Sequence, residues 1–322
     1  MIPVRILGTA SMLPGRAVTT EELSRQLGRE PAAMMRRTGI RTRHWAEPEA
    51  KVAELGAQVL RQALEVAGLE ARQLRRLLFV SSTGGEILIP ASANRVSAAL
   101  GLAGTCDGID LNNACMGFLS AFDLASRCVA TGLSPVGIVV VELGSRIVDA
   151  SDARPYLVFG DAVAAAVLGP ARPGEGLLSS VLANDGTLPP DTVLEHPVFT
   201  GRPEKVRFHV SRDEILQIAM NALSTATRTV LDQARVTLAD IQWVLPHQPN
   251  GAMLRAIVEG LGIAPERIVP VVEETGSVGA ASIPVSLDRL WRTRPVKPGD
   301  RILMVGVGAG VSHGALLYQV GE

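Results

Sequence analysis

The chain has 322 residues, of which 47% are hydrophobic and 20% charged; that is enough for one large domain or two of about 150–160 residues around a sizeable core. A formal charge of −1 excludes a global field for capturing nucleic acid, and an aromatic content of 3% argues against base-stacking platforms. The three cysteines, Cys106, Cys115 and Cys128, show no CxxC spacing, no HxxxH pair is present, the N-terminus carries no signal peptide, and no apolar window is long enough to span a membrane. Reduced thiols in a cytoplasmic protein, no metal site and no membrane partner are therefore expected.

In chain order, the first clear elements lie in Leu64–Leu78, LEVAGLEARQLRRLL, which reads as a helix end, a short polar link and an apolar strand. A second helix follows and ends in Ala-Leu-Gly-Leu at 99–102. The segment Leu111–Leu119, LNNACMGFL, then places Cys115 where a strand-like run gives way to a helix. That helix is marked by Phe118, Phe122, Leu124, Ala125 and Val129 and stops at Thr131-Gly132. A lone cysteine is often a small core residue, but a thiol at a helix N-terminus faces unpaired N–H groups and the positive end of the dipole. Both favour the nucleophilic thiolate. Cys106, before the strand, and Cys128, inside the helix, lack that setting. Gly137–Leu143 is a strand rich in β-branched residues.

A boundary near Pro170–Gly176 divides the chain into halves 1–170 and 171–322. Pro189–Pro203 carries several prolines and little periodicity, and is expected to form a long surface loop at a functional lip. Beyond it the pattern repeats. In Leu231–Leu245, LDQARVTLADIQWVL, the residues Leu231, Ala234, Ile241, Val244 and Leu245 fall opposite Leu64, Ala67, Leu74, Leu77 and Leu78. The following helix ends in Gly-Leu-Gly-Ile at 260–263, and Arg301–Val307 matches the strand Gly137–Leu143. Two copies of one unit, each alternating buried strands with amphipathic helices, predict a layered α/β fold.

Three places in the second half have chemistry that a reactive cysteine needs. His247 lies in Leu245–Asn250, LPHQPN, between an apolar strand and a helix beginning near Ala252, where an imidazole can move a proton or donate to an oxyanion. His44, His196, His209 and His313 are assigned structural roles. Glu274–Pro284, with small residues opening a helix, is the second-half counterpart of the Cys115 turn. The glycine run in Met304–Gly314 has no following βαβ unit and no acidic residue about 20 positions on, as a dinucleotide loop would. A turn whose backbone N–H groups form an oxyanion hole for acyl transfer fits it better.

These residues together resemble the β-ketoacyl-acyl-carrier-protein synthase III family of the thiolase superfamily. The matching pieces are Arg37–His44, Ser81–Thr83, Pro90–Ser92, Asn113–Phe118, Phe159–Ala162, Pro246–Gln248, Asn250, Gly276, Ala280–Pro284 and the terminal glycine run. The resemblance implies a five-layered αβαβα thiolase fold of two duplicated halves. It also implies a homodimer in which a residue near Pro90 reaches the partner's pocket, and an acyl intermediate on Cys115. No cofactor is implied, since coenzyme A or acyl-carrier-protein thioesters are the substrates. Cys115 would be the nucleophile and His247 the catalytic histidine; the N–H groups of Cys115 and Ala309 would form the oxyanion hole, and Arg37 and Asn250 would bind substrate.

The chain departs from the family where it matters most. The family's third catalytic residue is an asparagine that works with the histidine on the enolate of a decarboxylating malonyl thioester; here that position is Ser277. Loss of one oxyanion donor costs about 3–4 kcal/mol, on the order of 10²–10³ in rate, although a water beside Ser277 can recover part of it. On the donor side the family's adenine-stacking tryptophan is replaced by Ala33, an arginine by Ala252, and two lysines by Glu259 and Gly260; Arg36, Arg37 and Arg255 remain. The expected activity is condensation of an acyl-Cys115 intermediate with a carbon nucleophile such as a malonyl thioester, in fatty-acid-like or polyketide-type biosynthesis. The alternatives are an acyltransferase of the same fold that forms an ester or amide, and a partner subunit of a heteromeric synthase.

Overall fold

The computed structural model describes residues 1–188, 192–201, 203 and 205–321. The first half builds one sheet. Its edge is β1 (Arg5–Met12), followed by the ribbon β2 (Arg16–Thr19) and β3 (Thr42–Trp45), which flanks helices α1 (Thr20–Gln26) and α2 (Pro31–Thr38). Then come α3 (Val52–Ala67), β4 (Arg76–Val80), α4 (Ser92–Ala99), β5 (Asp107–Leu111), α5 (Gly117–Ala130), β6 (Val136–Leu143), the short α6 (Ala153–Tyr156) and β7 (Asp161–Gly169). The strand order is β1-β7-β6-β4-β5, with β4 parallel to both neighbours and β7 antiparallel to both of its own.

The second half follows the same route. After β8 (Gly176–Asn184) a small ribbon forms from β9 (Thr192–Val193) and β10 (Arg207–Phe208), with α7 (Pro197–Thr200) between them. The segment expected as a surface loop thus holds short elements; its residues 189–191 and 202 lie outside the described ones. The remainder is α8 (Arg212–Ala234), β11 (Trp243–Pro246), α9 (Gly251–Gly260), α10 (Val272–Thr275), α11 (Ser282–Thr293), β12 (Arg301–Gly308) and β13 (Ser312–Gln319), giving the sheet β11-β12-β13-β8. The place that β5 occupies beside β4 is taken here by a single parallel bridge, Val244 to Ile268.

Strand alternation stacks these parts in five layers. In the first sheet Leu77, Phe79, Val139, Val141, Val163 and Ala165 face α3 and α4, whereas Leu78, Val80, Ile138, Val140 and Ala164 face inward. The inward set packs on Phe118 and Phe122 of α5 and Ile283 and Leu287 of α11, whose far sides meet Leu245, Ile302, Met304 and Leu316 of the second sheet. The other face of that sheet, through Val244, Leu303, Val305 and Leu317, is covered by Leu223 and Val230 of α8 and Ile257 of α9. This is the αβαβα thiolase architecture. Because α5 and α11 form the central layer, the turns that open them meet between the two sheets.

Candidate active site

The Cys115 turn is built by its polar residues. After β5 ends at Leu111, the Asn112 side-chain carbonyl accepts from the Ala114 N–H at 3.0 Å, and Ala114 takes φ +44°, a left-handed conformation that a local side-chain bond helps to hold. A single 3₁₀ turn, Ala114–Met116, carries Cys115 and is closed by Met116 N–H to Asn113 C=O at 3.0 Å. The sequence alone places the thiol directly on the helix; the structure inserts this turn ahead of Gly117, the first residue of α5. Gly117 is required there, since a Cβ would stand 2.5 Å from Val80 Cγ1.

His247 follows β11 and is fixed through its neighbour. Its N–H donates to Val305 C=O at 2.8 Å. The buried Gln248 amide donates to Val269 C=O (2.9 Å) and Ser286 Oγ (3.1 Å) and accepts from the N–H groups of Val271 (2.9 Å) and Val272 (3.1 Å). The His247 ring is 4% exposed and its Nδ1 has no hydrogen-bond partner among the described residues. Burial pushes its pKa down to about 4, because a charged imidazolium is poorly solvated there. At neutral pH the ring is uncharged, able to donate from one nitrogen and accept at the other.

Ser277 is buried, and its backbone is pinned from both sides: its N–H donates to Val158 C=O (2.8 Å) and its C=O accepts from Gly160 N–H (2.9 Å). The 3₁₀ turn Gly279–Ala281 then leads into α11 just as Ala114–Met116 leads into α5. Beneath it lies the Glu142 carboxyl, which accepts from Ala280 N–H (3.3 Å), Ser82 N–H (3.1 Å) and Ser82 Oγ (2.7 Å). Burial raises the Glu142 pKa to about 7 despite these donors. The glycine run forms the end of β12 and the turn Ala309–Val311. A Cβ on Gly308 would lie 3.1 Å from Cys115 N and 3.2 Å from Met116 N, so the two turns pack too closely to admit a side chain there.

One cavity of about 620 Å³ is lined by Cys115, His247, Ser277, Gly308 and Ala309 together. Arg37 and Asn250, proposed from sequence as substrate-binding, line it too. Arg37 is exposed on the last turn of α2, while Asn250 caps α9, its side-chain carbonyl accepting from Met253 N–H at 2.9 Å. Both are set by a glycine contact: a Cβ on Gly39 would come within 2.8 Å of Gly251 Cα, so only glycines let the two helix ends approach this closely. Ala33 is half-buried on α2, and the outer face of α9 exposes Arg255 beside Glu259.

Other lining residues were invisible to sequence reasoning. Arg29 and Arg154 add cationic groups; Arg154 lies with Cζ 4.3 Å over the Phe208 ring, and Phe208 stacks on Phe159 at 6.2 Å. Phe208 comes from the aperiodic segment after β9, which offers no pattern to read. Among the described histidines only His247 lines the cavity; His196 caps α7 through Nδ1, accepting from Val198 N–H at 3.2 Å, and His44 and His313 lie on β3 and β13. Of the other cysteines, Cys106 is raised to about 11 by burial and the adjacent Asp107. Cys128 is buried and accepts from Arg76 Nη1 at 3.2 Å, a contact between residues too far apart in the chain for local pattern to report. Among the described residues no group of three or more His, Cys, Asp or Glu side chains is placed to hold a metal ion, and no helix is long and apolar enough to cross a membrane.

Comparison with known proteins agrees with this fold. Residues 109–186 match the family described as 3-oxoacyl-[acyl-carrier-protein] synthase III, and residues 231–320 match its C-terminal family. A β-ketoacyl-[acyl-carrier-protein] synthase III of Symbiobacterium thermophilum is 34% identical over 99% of both chains. The crystal structure of the Pseudomonas aeruginosa 3-oxoacyl-(acyl carrier protein) synthase III superposes with a TM-score of 0.91 at 28% identity, covering 99% of both chains. The priming β-ketosynthase of a polyketide pathway gives a TM-score of 0.89 at 29% identity, covering 99% of this chain and 96% of its own.

Proposed function

The chain belongs to the β-ketoacyl-[acyl-carrier-protein] synthase III family and is an acyltransferase of ketosynthase III type; within that activity we propose that it carries an acyl group on Cys115 and passes it to a carbon nucleophile. The observation that supports this reading is the convergence of Cys115, an uncharged buried His247, Ser277 and the Gly308–Ala309 backbone on one cavity. In the first step the Cys115 thiolate attacks a thioester carbonyl. The N–H groups of Cys115 and Ala309 receive the oxyanion, and the departing thiolate takes up a proton. In the second step a malonyl thioester loses carbon dioxide. The resulting enolate, held by His247 and Ser277, attacks the acyl carbon and restores the Cys115 thiolate. The substrates are acyl thioesters of coenzyme A or a carrier protein, and the assembly is a homodimer.

Ser277 favours a second reading, in which the acceptor is an oxygen or nitrogen nucleophile and the product an ester or amide. A hydroxyl reaches less far than an amide N–H, so enolate stabilisation is weaker while acylation of Cys115 is unaffected. One experiment decides between them. The protein is incubated with a panel of acyl thioesters, the adduct is mapped, and carbon dioxide release and product mass are followed after addition of a malonyl thioester. An adduct on Cys115 alone, lost in Cys115→Ala, is expected, followed by carbon dioxide release and a product with a new carbon–carbon bond. An adduct in Cys115→Ala would remove the nucleophile; acylation without carbon dioxide release would select the ester or amide reading.

A further inference from the structure

The two turns whose N–H groups are proposed to form the oxyanion hole come from opposite halves of the chain. Gly308 lies so close to the Cys115 backbone that a Cβ would crowd it, but such close packing of two backbones resists compression and does little against sliding. A side-chain hydrogen bond joins them. Asn113, two residues before Cys115, accepts at Oδ1 from Ser312 Oγ at 2.8 Å, and Ser312 lies three residues after Ala309. The Asn113 amide nitrogen donates to Ser120 Oγ on α5 at 2.9 Å. Asn113 C=O also closes the 3₁₀ turn by accepting from Met116 N–H at 3.0 Å. Because a hydroxyl both donates and accepts, the tie holds for either orientation of the amide. Ser312 is buried and Asn113 half-buried, so the bond between them lies partly out of water.

Resting on the acyl-Cys115 reading, we propose that Asn113 is a positioning residue that sets the spacing of the Cys115 and Ala309 N–H groups by clamping the nucleophile turn to the glycine turn through Ser312. An oxyanion hole works only when both donors lie within hydrogen-bond reach of the position the oxyanion will occupy. A clamp that fixes one turn against the other therefore affects attack on a carbonyl, where an oxyanion forms. It has little effect on reactions of the same thiol that form none.

That difference is the test. Single-turnover acylation by an acyl thioester needs the hole; alkylation of Cys115 by iodoacetamide is a substitution at a saturated carbon and does not. In Asn113→Ala, acylation is expected to slow on the order of 10- to 100-fold, with alkylation within about twofold of the unchanged protein. Ser312→Ala removes the same bond from the other side and is expected to reproduce the selective loss, so the inference stands or falls on Ser312→Ala even where Asn113→Ala folds poorly. Ser312→Thr keeps the hydroxyl and is expected to restore acylation, and the double alanine variant to be no slower than the slower single. Acylation at the normal rate in both single variants overturns the clamp, as does an equal fall in acylation and alkylation, which would put the effect on the thiol. Absence of any acyl adduct on Cys115 in the unchanged protein would overturn the proposed function as well.

Discussion

The two halves lead the chain along one path and end it differently. In the first sheet β6 closes beside β7 with Leu143 opposite Asp161; in the second β12 closes beside β13 with Gly308 opposite Ser312. The register is the same, because Val80 of β4 pairs with Val140 and Pro246 of β11 pairs with Val305, each three residues before the closing position. In the first half the turn that follows is tied down by a carboxylate: Asp161 accepts from Ser145 N–H (2.8 Å), Ser145 Oγ (2.7 Å) and Ala46 N–H (2.7 Å). In the second half the equivalent turn is glycine-rich and lines the cavity. Likewise β4 runs out into Ser81 and Ser82, with Ser82 bound to Glu142, whereas β11 runs out into His247, whose Nδ1 is unengaged among the described residues. At these two matched places the first copy pairs its polar side chains within the protein, and the second turns glycine backbone and an imidazole toward the cavity. Cys115, the proposed nucleophile, stands at the seam, carried by the first copy and faced by the second.

The strongest way to break this comparison is to remove the unengaged imidazole. In His247→Ala, single-turnover acylation of Cys115 is expected to survive at a reduced rate, since the turn geometry and the proposed oxyanion hole remain. Steady-state product formation is expected to fall by about 10²–10⁴-fold, the contribution of a positioned proton donor or acceptor. Rapid-mix mass spectrometry of the acyl enzyme beside product assays separates the two; full turnover in the variant would take His247 out of the mechanism.

Ser277 sharpens the comparison at the turn that mirrors the Cys115 turn. If a malonyl thioester is the native acceptor, Ser277→Asn is expected to keep or raise carbon dioxide release, and Ser277→Ala to lower it by up to about 10²–10³-fold through loss of a donor. If the acceptor is an oxygen or nitrogen nucleophile, Ser277→Asn is expected to lower native turnover, because the longer amide crowds a buried, pinned position, while carbon dioxide release appears. Brisk release at one rate in all three proteins would show that this position does not decide the chemistry.

How much of this was legible beforehand follows from the same asymmetry. Cys115, His247 and the glycine run each sit where the period changes from strand to helix or turn, so their places could be read from Leu111, Leu245 and Val307 onward. The duplication was legible because both copies must bury the same face, which keeps Leu64, Leu74 and Leu77 in step with Leu231, Ile241 and Val244. Ser277 gained meaning only through the family resemblance, since a serine among small residues carries no periodic signal. Glu142, Asn113, Arg154 and Phe208 stayed hidden for another reason. Each makes its contact with a partner remote in sequence: Glu142 with Ala280, Asn113 with Ser312, Arg154 with Phe208. Local pattern does not report such pairs, and a glutamate inside a strand of valines reads only as an interruption.

A smaller effect is expected from giving the second half a side chain where the first half closes with one. Leu143 fits at the end of β6, but in Gly308→Ala the added Cβ meets Cys115 N at 3.1 Å and Cys115 Cβ at 3.4 Å. Gly308 has φ −139°, which alanine adopts without strain, so the penalty is steric and falls on the nucleophile turn. Acylation is expected to slow by about 10-fold with little loss of stability, because a displacement well under 1 Å at an oxyanion hole costs less than the 10²-fold of a full ångström. Acylation kinetics beside thermal unfolding check this; unchanged acylation would mean that the turns can separate without consequence.

The smallest effect concerns folding, and there the two halves pull in opposite directions. His247 drops from an ordinary 6.5 to about 4, so between these values the unfolded chain binds a proton that the folded chain does not, and stability rises with pH. Glu142 climbs from 4.5 to about 7, so over that span the folded chain keeps a proton that the unfolded chain has released, and stability falls with pH. Asp161, also raised by burial, adds to the second trend. Each buried group contributes at most about 1.4 kcal/mol per pH unit where its two states differ by a full proton. In the overlap from 4.5 to 6.5 the His247 and Glu142 slopes oppose each other, and these two groups leave little net dependence there. Glu142→Gln keeps an acceptor for Ala280 and Ser82 while removing the titration; relative to the unchanged protein its stability is expected to gain with pH across that window. His247→Gln removes the opposing group, and its stability is expected to fall with pH. Urea unfolding midpoints measured for the three proteins across the window provide the check. Parallel curves for all three would mean that neither group is held away from its ordinary protonation, and the contrast between a tied carboxyl in one half and an unengaged imidazole in the other would lose its electrostatic basis.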